Sequence, residues 1–211
     1  MTPEAARRSF RPATRDEISE ARRRLKIDDD FLLFVGTIEP RKNLITLVKA
    51  FEQVLGASSA SSWRPQLVIA GKEGWLTDEL FAYINKAGLK ERIKITGYIT
   101  EDDLRALYSA CEMCLYPSLY EGFGLPTLEA MACGAPVITS RVASLIETVG
   151  DAARLIDPLD ASGLARAILE LHQDEGARQH FSAAGLARAR QFTWERTAEM
   201  TRAVYEEAMK R

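Results

Sequence analysis

The stretch that decides the fold is Phe31-Leu-Leu-Phe-Val-Gly-Thr-Ile-Glu-Pro-Arg-Lys-Asn43, an apolar run that passes through a loop into a helical segment. A short apolar run of this kind is typical of a strand buried on both faces of a parallel sheet. Similar runs recur between helical segments, at residues 66–70, 92–96, 113–116, 135–139 and 153–156. This alternation predicts an α/β fold, a Rossmann-like doubly wound parallel sheet of about six strands.

Helices are predicted between the strands and after the last of them, so that the chain ends in C-terminal helices. The first helix follows Thr14-x-x-Glu17, which has the form of a capping box. The predicted helical ranges are 16–26, 44–55, 77–87, 101–111, 126–133, 161–173, 175–191 and 193–210, with a short turn near 144–149. A length of 211 residues allows one sizeable domain.

The composition excludes several classes of function. Hydrophobic residues make up 46% of the chain and charged residues 27%, with a formal net charge of −2. A nucleic-acid partner would need a concentrated basic face, which the sequence does not have. No apolar run approaches the roughly 18 residues of a membrane span, and the N-terminus has no signal-peptide core. The expected location is therefore the cytoplasm.

The cysteines and histidines are expected to be structural. Cys111 and Cys114 have the spacing of a redox or metal-binding pair, but a zinc site needs four ligands, and no second pair or nearby histidine accompanies them. Cys114 falls in a predicted strand, which favours a reduced, structural role. His172 and His180 lie in polar helical stretches. No metal site is expected.

The residues that follow the strands are the candidates for a binding site. Right-handed crossovers place the carboxyl ends of all strands at one edge of the sheet, where ligands bind in open α/β folds. Arg41 and Lys42 follow the first strand and directly precede a helix. They predict a phosphate site, because the helix N–H groups and the two cations favour the same anion. The alternative is two exposed basic residues in a loop.

Weaker signals follow the second and third strands. Gly71 and Lys72 follow the second strand, and a glycine there permits either the close approach of a ligand or simply a turn. Gly97 and Tyr98 end the third strand. Tyr98 would either contact a nucleobase or pack into the protein, and the sequence leaves both open.

The most informative segment follows the fourth strand and reads Glu121-Gly-Phe-Gly-Leu-Pro-Thr-Leu-Glu129. Its glycines expose consecutive backbone N–H groups. Pro126 suits the first position of a helix, where its missing N–H costs nothing. A glycine-rich loop that opens onto a helix N-terminus is an anion site suited to a diphosphate.

The two carboxylates of this segment indicate the kind of ligand. A carboxylate accepts hydrogen bonds from sugar or ribose hydroxyls and repels a phosphate placed directly against it. A nucleotide diphosphate sugar, with hydroxyl-rich ends and an anionic middle, fits this order of groups. The spacing carries no weight by itself, because Glu199 and Glu207 in the last helix are also eight residues apart. Ordinary surface charges are the alternative for Glu121 and Glu129.

Together these segments resemble the C-terminal domain of family 4 glycosyltransferases, which are retaining enzymes of the GT-B fold. The resemblance covers roughly residues 14 to 211. It rests on the loop 36–43, the second strand with its glycine at 67–71, the segment 95–111, and the Glu-x7-Glu motif at 121–129. It implies one half of a GT-B fold and the transfer of a hexose from a nucleotide donor.

The resemblance implies a role for each matching residue. Arg41 and Lys42 would stabilise the charge of the leaving diphosphate, and Glu121 would contact the transferred sugar, so these three are the expected catalytic residues. The expected donor-binding residues are Gly36, Thr37, Gly71, Lys72, Gly97, Tyr98, Gly122, Phe123, Gly124, Leu125, Pro126 and Glu129, the last of which would bind the ribose. The donor would be linked to GDP or UDP, with a mannosyl donor favoured, and no cofactor or essential metal is expected.

Two departures from the family pattern bear on function. Thr37 stands where many relatives carry a basic residue, so Arg41 and Lys42 would bind the phosphates without a third cation. Family members also have an N-terminal Rossmann-like domain that supplies the acceptor site. This chain shows no such domain, so we expect it to need that domain or a partner chain for activity.

The resemblance also divides the chain. Residues 1–28 would form an interdomain segment with a short helix, residues 29–192 the nucleotide-sugar-binding domain, and residues 193–211 a helix that crosses to the missing domain. An exposed apolar stripe with Trp194, Val204 and Tyr205 is expected on this helix. The alternatives are a helix that folds back and a homodimer that forms through it.

Two other functions stay open at this point. A non-catalytic module would bind the nucleotide sugar and depend on another chain for activity. A dinucleotide-dependent oxidoreductase would need Gly-x-Gly-x-x-Gly after the first strand, and the chain has Gly36-Thr-Ile-Glu-Pro-Arg41 there. The sequence therefore disfavours the oxidoreductase.

Overall fold

The computed structural model describes residues 2–28, 30–58 and 63–210. Within these residues the strands form one six-stranded parallel sheet in the order β3-β2-β1-β4-β5-β6. The strands are β1 Phe31–Val35, β2 Gln66–Ala70, β3 Ile93–Gly97, β4 Met113–Tyr116, β5 Val137–Ser140 and β6 Arg154–Ile156. The predicted Rossmann-like fold is confirmed.

Helices cover both faces of the sheet, and a last helix extends beyond it. They are α1 Arg15–Leu25, α2 Leu44–Ala57, α3 Asp78–Lys86, α4 Glu101–Ala110, α5 Leu125–Ala132, α6 Ala143–Val149, α7 Ala161–Gln173, α8 Glu175–Ala189 and α9 Trp194–Ala208. A 3-10 turn, Pro40–Lys42, stands before α2 in the loop that follows β1. Within the described residues no helix combines the length and the apolar character that crossing a bilayer takes.

The central strand β1 shows why both faces must be covered. All five of its residues are buried. Leu32 and Phe34 belong to the core beneath α2 and α7, whereas Phe31, Leu33 and Val35 belong to the core beneath α4 and α5. Each side chain of this kind contributes about 1.5–3 kcal/mol when it leaves water, so the apolar run is stable only between two helical layers.

Most element boundaries lie within a residue or two of those predicted, and the shift of two residues at the start of β5 has a clear reason. Its predicted start at residue 135 is wrong. The backbone N–H of Ala135 donates to the carbonyl of Ala130 at 3.0 Å, and Gly134 has φ +83°. These two residues therefore complete the C-terminal cap of α5, and β5 begins only at Val137.

The two ends of the chain pack differently. Near the N-terminus, α1 packs on α4, and Phe10 meets Tyr108 edge-on with 6.0 Å between the ring centroids. At the other end, no residue of α9 is buried. The expected exposed stripe is present, with Trp194 47%, Val204 58% and Tyr205 67% exposed. The domain boundaries at residues 28 and 192 stay predictions.

Candidate donor-binding site

The site lies where the strand order reverses, between β1 and β4. The loop after β1 and the loop after β4 leave the same edge of the sheet here, the place where open α/β sheets bind ligands. The N–H of Leu119 donates to the carbonyl of Arg41 at 2.8 Å. The side-chain nitrogen of Asn43 donates to the carbonyls of Pro117 at 3.1 Å and Pro158 at 2.6 Å. These bonds fix the two loops against each other.

Four charged side chains meet between these loops, and we call them the charged cluster: Glu39, Arg41, Lys42 and Glu121. Arg41 Nη1 lies 2.6 Å from Glu121 Oε2, and Lys42 Nζ lies 2.6 Å from Glu121 Oε1. Arg41 Nε also lies 2.6 Å from Glu39 Oε1. The structure thus brings together the three residues that the sequence predicted as catalytic.

Lys42 is the most enclosed cation of the cluster. It is 5% exposed, and its Nζ lies 2.5 Å from the hydroxyl oxygen of Tyr116 and 4.8 Å from the centre of that ring. Burial lowers the pKa of Lys42, while the carboxylate of Glu121 opposes part of this effect. Burial also raises the pKa of Tyr116, so its hydroxyl stays protonated.

Glu121 and Arg41 stabilise each other's charged forms. Burial by itself would raise the pKa of Glu121, but hydrogen bonds and charge from Lys42 and Arg41 outweigh it and hold that pKa below its ordinary value. Burial likewise works against the charge on Arg41, and Glu121 outweighs it, so the pKa of Arg41 is raised. The Arg41 side chain remains 32% exposed, so the guanidinium can still reach a ligand.

The glycine-rich loop leads from this cluster into α5. Gly124 is the residue before the helix and has φ +96°, and a Cβ on it would lie 2.4 Å from Leu145 Cδ2. Only glycine fits this position. No side chain caps the N-terminus of α5, and Leu125 and Pro126 at its start are half-buried. The first N–H of the helix is thus available to an anion.

Phe123 ties the same loop to two distant elements. Its carbonyl accepts a hydrogen bond from Thr148 Oγ1 at 2.5 Å. Its ring meets Phe192 edge-on, with 5.7 Å between the centroids. Gly122, by contrast, is exposed, and a Cβ there would meet no atom within 4 Å. The loop is therefore anchored at Phe123 and Gly124 and open at Gly122.

Glu129 lies one turn into α5 and contacts a different set of residues from Glu121. The hydroxyl of Tyr108 donates to Glu129 Oε2 over 3.3 Å, a long hydrogen bond. Burial raises the pKa of Glu129 to about 7, and this hydrogen bond opposes the shift only in part. Glu129 therefore exchanges its proton near neutral pH, whereas Glu121 is ionised there.

The predicted residues after β1 and β2 form a close contact between loops. A Cβ on Gly71 would lie 1.9 Å from the carbonyl oxygen of Gly36, and Gly74 approaches Thr37 in the same way. The absence of a side chain at Gly71 therefore permits the backbones of the two loops to touch. Gly36 has φ +148° and faces the side chain of Lys42.

The other predicted residues lie at the open rim of this edge. Gly97 has φ +70° and forms a bridge with Gly71. Tyr98 is 90% exposed, so the alternative of a tyrosine packed into the protein is wrong. The side chain of Lys72 is exposed. These residues border the site without entering the charged cluster.

Three residues of the site were not predicted from the sequence. Glu39 pairs with Arg41, Tyr116 holds Lys42, and Asn43 fastens the loops. A signal existed for each, since Glu39 and Asn43 flank the two predicted cations and Tyr116 ends β4 at the ligand edge. The partners of Tyr116 and Asn43, however, lie more than 70 residues away in the chain, whereas Glu39 pairs with a residue of its own loop.

A cavity of about 560 Å³ adjoins the cluster on the α3 side. Ile38, Leu44 and Leu119 contribute to its apolar wall, and Asp78 and Glu79 supply carboxylates. Among the residues that the structure describes, no lysine or arginine lines this cavity, and none of the predicted site residues does. The carboxylates of this cavity would repel a diphosphate, whereas Arg41 and Lys42 would attract one.

The fold and the site together define a class of protein. A Rossmann-like sheet presents two cations, a glycine-rich loop and an uncapped helix N-terminus at its switch point, which is an architecture for binding phosphate groups. The family profile described as "Glycosyl transferases group 1" matches residues 16–188. The chain belongs to this family.

Similar proteins include several mannosyltransferases. The O-antigen chain mannosyltransferase B of Escherichia coli is 41% identical over 171 residues, which are 81% of this chain and 44% of that protein. A D-inositol 3-phosphate glycosyltransferase of Salinispora tropica is 33% identical over 211 residues, covering 95% of this chain and 44% of that protein. The chain thus spans less than half the length of these relatives.

Two solved structures agree with the fold. Sucrose-phosphate synthase of Thermosynechococcus elongatus superposes with a TM-score of 0.82 at 30% identity, over 99% of this chain and 52% of that one. The C-terminal domain of a group 1 family glycosyltransferase of Francisella tularensis gives a TM-score of 0.73 at 23% identity, over 87% of this chain and 95% of that one. The second likeness concerns the fold alone.

Proposed function

We propose that this chain binds a nucleotide diphosphate sugar and forms the donor half of a retaining hexosyltransferase. The observation that carries the proposal is the meeting of Arg41 and Lys42 with Glu121 beside the uncapped N-terminus of α5. A diphosphate placed here would face two cations and a helix dipole, and its sugar would lie over a loop of backbone N–H groups.

The charges of the cluster suit a leaving diphosphate. Negative charge grows on the phosphate oxygen as its bond to the anomeric carbon breaks, and cations already held in place stabilise it without rearranging. Removing one such group commonly costs about 10²–10³ in rate. Arg41 and Lys42 have this role in the proposal, and no metal ion or other cofactor is required for it.

The carboxylates of Glu121 and Glu129 would bind the two hydroxyl-rich parts of the donor, the sugar and the ribose. Glu121 stays ionised because the cations hold it so, and it would accept a hydrogen bond from the transferred sugar near its anomeric carbon. Backbone N–H groups of residues 122–124 would bind other sugar hydroxyls. Glu129 would bind the ribose, and exposed Tyr98 would contact the base.

The identity of the sugar is proposed from the relatives. Proteins named as mannosyltransferases match this chain at 41% and 33% identity. We therefore propose a mannosyl donor, linked to GDP. The acceptor would bind to an N-terminal domain or a partner chain, with α9 as a contact surface.

Titration calorimetry of the chain with GDP, UDP and ADP tests the proposal. We expect one nucleotide to bind, and we expect Arg41→Ala and Glu129→Ala each to weaken that binding about tenfold or more, since each removes a charged hydrogen bond. Arg166→Ala and Glu170→Ala on the exposed side of α7 are the matched controls and should leave affinity unchanged. Absence of binding for all three nucleotides would contradict the proposal, as would binding that survives the loss of both Arg41 and Glu129.

A further inference from the structure

The anchoring of Phe123 carries an inference that rests on the function proposed above. Phe123 lies in the loop to which we assign the sugar, and two elements remote in sequence hold it. Thr148, in the last turn of α6, donates to its carbonyl at 2.5 Å. Phe192, in the turn between α8 and α9, packs against its ring at 5.7 Å. Separate contacts thus hold the backbone and the side chain of Phe123.

Arg188 joins these two anchors. Its Nε donates to the carbonyl of Thr148 at 3.0 Å and its Nη2 to the carbonyl of Glu147 at 2.6 Å. Its guanidinium also lies 4.9 Å from the ring centre of Phe192. The last carbonyls of a helix carry partial negative charge and lack partners within the helix, so a guanidinium there is favourable. Arg188 therefore holds the end of α6 and Phe192 in one arrangement.

The neighbouring loop residue depends on the same helix. Leu145 of α6 is fully buried and lies so close to Gly124 that a Cβ on Gly124 would come within 2.4 Å of its Cδ2. Any shift of α6 would therefore displace residues 123 and 124 together. The positions of α6 and Phe192 therefore determine the direction in which the N–H groups of residues 123 and 124 point.

We propose that Thr148, Arg188 and Phe192 are positioning residues for the sugar portion of the donor. They orient the backbone N–H groups of residues 122–124 toward the sugar hydroxyls. The residues proposed to bind the nucleotide portion, Arg41 and Glu129, are held by other contacts, to Glu121 and Tyr108. The three positioning residues thus set the affinity for the sugar separately from the affinity for the nucleotide.

The test compares two ligands, GDP and GDP-mannose, by titration calorimetry on the whole chain. We expect Phe192→Ala and Thr148→Val to leave the Kd for GDP within about twofold and to raise the Kd for GDP-mannose about tenfold, because misdirected N–H groups lose hydrogen bonds to the sugar. Phe192→Tyr keeps the ring edge against Phe123 and should restore the affinity for GDP-mannose.

The control is Phe181→Ala, which removes a partly buried phenylalanine from α8, the helix that precedes Phe192, at a position away from the loop. It should leave the ratio of the two Kd values unchanged. Equal weakening of GDP and GDP-mannose by Phe192→Ala would show a merely structural role and overturn the inference, as would an unchanged affinity for both. If wild-type protein binds no nucleotide at all, the proposed function itself fails, which is a distinct result.

Discussion

The two glutamates of one short motif have opposite chemistry because their surroundings differ. Glu121 lies between two cations, and its pKa is held below the ordinary value. Glu129 is half-buried beside Tyr108, and burial raises its pKa to about 7. The sequence shows two equivalent carboxylates eight residues apart, so only the tertiary contacts of each residue could distinguish them.

This difference makes Glu129 a source of pH-dependent stability. The folded protein holds the proton of Glu129 up to about pH 7, whereas the unfolded chain releases it near pH 4.5. The contribution of Glu129 to stability is therefore full below pH 4.5 and is lost as the pH rises toward 7. Between pH 5 and pH 8 the loss corresponds to about 2 kcal/mol.

Glu129→Gln should remove this loss, because glutamine does not ionise. The free energy of unfolding of the variant minus that of wild type should therefore be about 2 kcal/mol larger at pH 8 than at pH 5. Urea unfolding at the two pH values measures it. The other titratable groups near Glu129 do not interfere, because hydrogen bonds to Ser9 and Arg7 lower the pKa of Glu101 and burial raises the pKa of Cys133 to about 12. A stability difference that is the same at both pH values would contradict the shift.

At the scale of elements, the sequence predicted most of what local rules decide. Thr14 caps α1 as its spacing to Glu17 indicates, and Pro126 lies in the first turn of α5, one residue after the helix starts. The predicted start of β5 was wrong because the helix cap used Ala135, a residue whose apolar character fits a strand equally well. The local sequence pattern does not show whether such a residue ends a helix or begins a strand.

The candidate site was also predictable only in part, because local patterns show which residues follow a strand but not which strands are neighbours. Arg41, Lys42 and Glu121 follow strands β1 and β4, and the rule that ligands bind at the carboxyl edge places them together. The sheet order then makes β1 and β4 neighbours, which no local pattern reveals. Phe192 follows no strand, so its contact with Phe123 appears only in the folded structure.

The helix α9 should contribute little to the stability of the chain. None of its residues is buried, and its contacts with the N-terminal segment include a hydrogen bond from Thr197 to the Pro3 carbonyl and an exposed ion pair between Arg8 and Glu195. Exposed pairs of this kind contribute little to stability, because water screens their charges. Shortening the chain to residue 193 should therefore lower the free energy of unfolding by no more than about 1 kcal/mol.

Urea unfolding of the shortened chain measures this change. Leu171→Ala in the buried face of α7 is the comparison, since truncating a buried leucine costs about 2–5 kcal/mol. A loss for the shortened chain as large as that of Leu171→Ala would show that α9 is part of the core. A small loss of unfolding free energy would support the view that α9 lies outside the core and that its apolar stripe binds another surface.

At the scale of the whole molecule, binding of a donor and transfer of its sugar make different demands on the protein. Two apolar cores enclose the sheet, so the site rests on a domain that has its own interior. The relatives, however, are more than twice as long as the part that this chain matches. Binding a donor needs only the site, whereas transfer also needs an acceptor held within reach of the anomeric carbon.

We therefore expect the 211-residue chain to bind GDP-mannose without transferring mannose. Holding two reactants together lowers a barrier by roughly 7–11 kcal/mol, and a chain that positions only the donor forgoes most of that gain. Release of GDP from GDP-mannose, with and without a mannose-terminated saccharide, measures turnover. Release that rises several-fold with the saccharide would mean that these residues also form an acceptor site, and the cavity beside Glu39 and Leu119 would then be the first place to seek it.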